Sequence, residues 1–277
     1  MVRYILALLF LSLLSGQCLA EEELWKDALS RALNADANGK TDEAERIFQS
    51  LTKSHENEGE VWVAYAEHLR FYVHDFARSA TAFERSLRTP SLTVSNRAFA
   101  HRGLGELAVK EQKFDEAKKH FQASLHIEPL VDTHRSLCHL YCRESNYRAA
   151  LEQARAALAI DPEDAISLLL HAILLHRNGQ ELEAKTAYLK AAKVSGLQAS
   201  EKDPSTTVHC CVVYNAAGYL SVCGDRAEAV KMLRRFLDNP NHRHLSWEEI
   251  ESDADFDNIR ADPSFGKLKD QYFALPK

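Results

Sequence analysis

Few residues in this chain interrupt a helix. Only ten glycines and seven prolines are spread over 277 residues, and several of them punctuate rather than interrupt. Gly39, Gly179 and Gly224 each fall between two helical runs, and Pro129 and Pro162 stand where runs close. At those places a helix can stop without losing an internal hydrogen bond. No segment alternates apolar and polar residues for long, which argues against an extended sheet.

The usual signatures of chemistry are missing too. There is no Gly-rich phosphate loop ending in Lys-Ser/Thr, no GxSxG and no HExxH. "GLGEL" (103–107) holds Gly-x-Gly, but no strand precedes it and the surrounding period is helical. Gly103 and Gly105 therefore read as close-packing residues. No nucleophile–base arrangement is recognisable, so the expectation is a protein that is not an enzyme and carries no cofactor.

Positive charge is also in short supply. Against 40 Asp and Glu stand 34 Lys and Arg, a net charge of −6. General nucleic-acid binding needs the opposite balance. Only one long apolar run is present, "ILALLFLSLL" (5–14), preceded by Arg3 and followed by the small residues Cys18 and Ala20. That is the pattern of a secretory signal peptide, too short to span a bilayer, with a cut expected after Ala20. Residues 1–20 contain no other charge than Arg3, so the mature chain keeps 33 basic residues of the 34 against 40 acidic ones, net −7. The expected location is exported, periplasmic or secreted, with no integral membrane insertion after cleavage.

Five cysteines remain: Cys138, Cys142, Cys210, Cys211 and Cys223. An odd, clustered set is not a disulfide framework. Cys138 and Cys142 lie four apart on one helical stripe, where a bridge does not fit. A pairing of Cys210 or Cys211 with Cys223 stays open. "HRSLCHLYC" puts His134, Cys138 and Cys142 on one stripe, but a zinc site draws ligands from two elements. Cys138 stands where packing needs a small residue, so no metal is expected.

What the chain does have is a repeated pattern of sizes. "GLGELAVKEQKFDEAKKHFQASLHIEP" (103–129) places small residues at Gly105, Ala117 and Ser124 and aromatics at Phe114 and Phe121. One period later Cys138, Ala150 and Ala157 take the small places, Tyr147 answers Phe114, and Pro162 answers Pro129. Further copies carry Ala172, Ala184, Tyr188 and Ala191, then Ala217, Ala229, Leu233 and Phe236. Earlier ones carry Ala32, Ala44, Phe48 and Leu51, then Trp62, Ala66, Ser79 and Phe83, with about one extra residue in the turn of the latter. Ala117, Ala150 and Ala184 are spaced 33 and 34 apart, and the gap of 45 to Ala229 marks an insertion near 193–207. Small residues on both helices of a hairpin let the backbones approach, and the aromatic fills the far end. One such pair cannot bury its apolar face alone, so copies stack.

The run "AHRGLGELAVKEQKFDEAKKHFQASLHIEP" resembles the tetratricopeptide repeat, with about six copies over residues 24–240. The resemblance implies an all-α fold: a right-handed α-solenoid of about six antiparallel helix pairs, spanning 21–244, with a concave groove lined by the first helix of each pair. Residues 245–277 do not continue the pattern. Ser246 and Glu249 read as a capping box, and Asp262-Pro263 as an N-cap with proline at the first helical position. Trp247, Phe256, Ile259, Phe265 and Leu268 are apolar anchors between charges. "DADFDNIRADPSFGKL" resembles an ending found after bacterial repeat arrays, and 245–277 is expected to be a helical cap.

By the same resemblance, the groove-facing residues of the later repeats include Arg102, Glu106, Arg135, His139, Arg143, Leu169, Ile173, His176, Arg177, Tyr214 and Asn215. Arginine forks suit carboxylates, and Leu169 with Ile173 can hold an apolar group. The expected occupant is another protein's acidic segment with an apolar anchor. The competing reading pairs these arginines with local acids such as Glu106 and Glu144, at little energetic gain. The positions matching the family's chaperone-tail clamp hold Arg102, Glu106, Ser136, Ile166 and Leu170, and only one is basic, so that clamp is not expected. The functional expectation is a non-catalytic interaction scaffold or adaptor. The alternative is an accessory subunit of an envelope enzyme complex for cell-wall or polysaccharide assembly.

Overall fold

The computed structural model describes residues 24–197, 210–239 and 245–273, and among them every regular element is helical. The expected leader, 1–20, and most of the insertion, 198–207, lie outside the described residues. Two compact units divide the chain between Glu128 and Pro129.

The first unit holds three helix pairs among the described residues. They are α1 (24–37) with α2 (Thr41–Ser54), α3 (Gly59–His68) with α4 (Phe76–Arg88), and α5 (Val94–Lys110) with α6 (Phe114–Ile127). The second unit holds α7 (Val131–Arg143) with α8 (Tyr147–Ile160), α9 (Ala165–Arg177) with α10 (Glu181–Val194), and α11 (Cys210–Val222) with α12 (Arg226–Leu237). Three short helices follow: α13 (Trp247–Ser252), α14 (Asp257–Arg260) and α15 (Pro263–Tyr272), with a 3₁₀ turn at Ala254–Phe256.

The repeated sizes are the packing. Ala32, Ala44, Ala66, Ser79, Ala117, Ser124, Cys138, Ala150, Ala157, Ala172, Ala184, Ala191, Ala217 and Ala229 are all fully buried. Phe48, Phe83, Phe121 and Leu233 fill the space beside them and are buried too, each contributing about 1.5–3 kcal/mol relative to exposure. A β-carbon at Gly103 would overlap the Phe83 ring, and one at Gly105 would overlap Phe121. Both glycines are therefore close-packing residues. Where serine replaces alanine, its hydroxyl is satisfied internally: Ser79 donates to the Ala66 carbonyl at 2.8 Å.

The turn within each pair has one recurring form. A residue at positive φ follows the first helix, and the next residue's amide reaches back to a carbonyl in that helix's last turn. Gly39, Gly179 and Gly224 occupy this left-handed position, and Gln112 (φ 60°) and Ser145 (φ 57°) occupy it in the two middle pairs. The paired bonds are Lys40 to Ala35, Lys113 to Ala108, Asn146 to Tyr141, Gln180 to Leu175 and Asp225 to Leu220. In the second pair the bond runs from Asp75 to Leu69, one residue longer. The extra residue is absorbed as a π-helical turn at Leu69–Val73, with His74 at φ 60°.

The C-terminal helices join the core of α11 and α12. Trp247, Ile250, Phe256, Ile259, Phe265 and Leu268 cluster with Val213, Ala217, Leu233 and Phe236, all buried. The Ser246–Glu249 capping box is formed in both directions. Asp262 caps α15 by accepting from the Ser264 amide at 2.7 Å, with Pro263 in the first turn.

Candidate functional site

In the first unit, Arg102 and Glu106 project from α5. Arg102 donates to Glu106 at 2.8 Å, and its guanidinium lies 4.4 Å from the Phe99 ring centre. Glu106 also receives Arg70, which pairs in turn with Glu67 at 2.8 Å. Arg102 is only 9% exposed, so its charge is spent locally. Burial pushes the Glu67 carboxyl up, against the opposing pull of Arg70. Arg70 and Glu67 were missed in the sequence because they lie in the pair whose register is shifted by the π turn.

A second buried network in this unit was also not legible. The His68 side chain has no exposed surface, and its Nδ1 lies 2.8 Å from Asp36 and its Nε2 2.9 Å from Glu45. Glu45 also receives Arg78 at 2.6 Å and the Tyr65 hydroxyl at 3.0 Å. His68 and Asp36 are buried while Glu45 and Arg78 reach the surface, and together the residues tie α1, α2, α3 and α4 to one another. A hollow of about 360 Å³ lies against Trp25, Ala28, Ile47 and Leu51 in the first pair, apart from every residue assigned to the site.

In the second unit, α7 carries Arg135, His139 and Arg143 at four-residue steps. Arg135 pairs with Asp132 and, at 3.0 Å, with Asp164. Asp164 is itself the N-cap of α9, accepting from the Ser167 amide at 2.8 Å. His139 and Arg143 are exposed. His176 is half-buried, with its Nδ1 3.7 Å from the Cys223 sulfur.

Four other assigned residues are committed to the chain itself. Leu169 is fully buried and Ile173 is 2% exposed. That corrects their expected role as a seat for a partner's apolar group: each already packs into a core cluster. Asn215 is buried and donates to the Cys211 carbonyl of its own helix at 2.7 Å. Tyr214 donates its hydroxyl to Asp253 at 2.7 Å, and its ring meets Phe256 edge-on at 5.2 Å.

Arg177 shows the same commitment most clearly. It donates to Asp255 at 2.7 Å and to the Ala254 carbonyl at 3.0 Å, and lies 5.0 Å from the Tyr147 ring centre. The Asp255 carboxyl is raised to about 6 by burial first and by Asp253 next, with Arg177 pulling the other way. Burial likewise pushes the Tyr214 phenol well above its ordinary value, with Asp253 adding to it.

The five cysteines are free thiols, so neither Cys210 nor Cys211 pairs with Cys223. Burial and a hydrogen bond to Cys142 hold the Cys138 thiol far from ionisation, the bond being the larger effect. Among the described residues, no three His, Cys, Asp or Glu side chains converge as metal ligands, and no helix is long and apolar enough to cross a membrane.

With the geometry in view, the comparisons bear on class. A family model described as tetratricopeptide repeat matches residues 139–204. A tetratricopeptide repeat-containing protein of Caenorhabditis elegans, trd-1, is 30% identical over 92 residues, 33% of this chain and 10% of that protein. The chain thus spans about a tenth of that relative's length. Among solved structures, Pseudomonas aeruginosa pilF aligns with a TM-score of 0.58 at 14% identity, covering 82% of this chain and 98% of that one. PilW, a widely conserved type IV pilus biogenesis factor, aligns with a TM-score of 0.58 at 11% identity, covering 85% and 98%. MamA aligns at 0.50 and 16%, covering 61% and 96%. These likenesses establish an all-α fold of tetratricopeptide-repeat type, and no enzyme family is indicated among them.

Proposed function

We propose that the chain is a non-catalytic adaptor that holds a segment of another protein against the first helices of its repeat pairs. The observation that carries this is the α7 stripe of Arg135, His139 and Arg143. Its two later residues are exposed on a chain that is acidic overall. Guanidinium forks on a rigid helix favour carboxylates, so the partner segment is acidic. The apolar seat first assigned to Leu169 and Ile173 drops out, because those side chains are core.

The adaptor is exported, on the strength of the 1–20 pattern, and works in the periplasm or outside the cell. Residues 245–273 serve as the terminal cap of the second unit, since they supply Trp247, Phe256 and Phe265 to the core of the last pair. Affinity comes from a few anchors rather than from area.

Affinity capture with the chain lacking residues 1–20 tests this, run beside Arg143→Glu. Arg143 is the better probe than Arg135, since reversing Arg135 would set a carboxylate against the Asp164 helix cap. The reading expects a protein captured by the unaltered chain and lost from the variant. Equal capture by both would move the binding face away from α7.

A further inference from the structure

The expected seat for an acidic segment with an apolar anchor runs over the first helices α5, α7, α9 and α11. On α9 and α11 a segment of that chemistry is present, and it belongs to the chain itself. Asp253 takes the Tyr214 hydroxyl, Asp255 takes Arg177, and Phe256 is fully buried beside the Tyr214 ring. The surface has a specific place for this turn: a β-carbon at Gly218 would come within 3.2 Å of the Asp255 Cβ. A segment that only closed the end of the stack would touch the last pair, α11 and α12. This one reaches back across α11 to Arg177, in the pair before.

We propose that Asp253–Phe256 is an internal stand-in for a partner segment. The surface formed by Arg177, Tyr214 and Gly218 recognises a carboxylate, a spacer, a second carboxylate and an aromatic in that order. A partner segment of the same chemistry competes with the chain's own turn for it. This rests on the adaptor reading only for the existence of such a partner. The recognition itself is tested with the chain's own sequence, so its failure is separate from a failure of capture at α7.

One magnitude sets the design of the test: a tethered segment acts at an effective concentration of about millimolar. A free peptide therefore competes poorly with the intact chain, and the tethered copy has to be weakened first. The probe is a labelled peptide of residues 251–260, ESDADFDNIR, read by fluorescence anisotropy against the full chain. The unaltered chain is compared with one carrying Asp255→Ala and Phe256→Ala. Binding at least about tenfold tighter to the substituted chain is expected, and adding Arg177→Glu to it should remove that gain. Equal binding to both chains, binding to neither, or indifference to Arg177→Glu would overturn the proposal.

If the substituted chain loses helical circular dichroism, hydrogen exchange on the unaltered chain decides. Amides of 253–258 exchanging at least about tenfold faster than those of α9 and α11 would support a displaceable turn. Equal protection would make the segment a fixed part of the core and overturn it.

Discussion

Arg177 and Asp255 lie 78 residues apart in sequence and meet at 2.7 Å, with the guanidinium of α9 held by a turn that follows α13. The Asp255 carboxyl titrates near 6, above the 3.8 of an unperturbed aspartate, because burial and Asp253 outweigh Arg177. A carboxyl raised on folding supports the folded state fully below its unfolded value. That support is lost as pH rises through about 6. Between pH 4 and pH 7 the loss is at most about 3 kcal/mol. Thermal melts from pH 4.5 to 7.5 should show stability falling with pH through this window, and Asp255→Asn should flatten the fall. Asp253, Asp257 and Tyr214 face the same place and stay in both proteins. An unchanged slope in Asp255→Asn would show that another group is responsible.

His68 gives a sharper test of packing. Its ring bridges Asp36 and Glu45 in a fully buried position, and removing it leaves two carboxylates facing each other. Breaking a buried charged contact from one side costs about 3–5 kcal/mol. His68→Leu should lower the urea midpoint accordingly, and adding Asp36→Asn should recover part of the loss. A single-site cost below about 1 kcal/mol would mean that water or rearranged side chains satisfy the carboxylates.

These two contacts also mark where sequence reading stops. Helix pairs, their turns and their small residues were legible because each is fixed by neighbours within one period: Ala117 and Ala150 must be small wherever two backbones close. The capping box at Ser246 was legible for the same local reason. The partner of Arg177 was not, since nothing near position 177 announces an acid beyond a non-repeating segment. Leu169 and Ile173 were misjudged by a related route. A groove position and a core position on one helix differ by a small rotation, and here both side chains turn into core clusters of the second unit.

The turn positions at Gln112 and Ser145 carry strain that their glycine counterparts avoid. An L-residue in the left-handed region costs about 1–2 kcal/mol, and glycine's extra freedom in the unfolded chain returns about 0.5–1 kcal/mol of that. Ser145→Gly should therefore stabilise by about 0.5–1 kcal/mol, and Gln112→Gly by a similar amount. Denaturant midpoints of the two single variants and the double variant would check it. The sites lie in different turns, so their effects should add. A destabilised Ser145→Gly would mean that the side chain does more in the turn than tolerate its backbone.

Gly105 tests the size pattern itself. It faces the Phe121 ring, and the β-carbon of alanine would overlap that ring. Phe121 is 1% exposed and held between α5 and α6, so it cannot swing aside without moving a helix. Overpacking of this kind costs about 1–3 kcal/mol, whereas alanine in an ordinary exposed helix position would gain about 1 kcal/mol over glycine. The two effects have opposite signs, and the close contact should win. Gly105→Ala is expected to lower the melting temperature, and Phe121→Leu in the same chain should restore part of it by making room. A stabilised Gly105→Ala would show that helix propensity governs this position and that the repeated small residue is not set by ring packing.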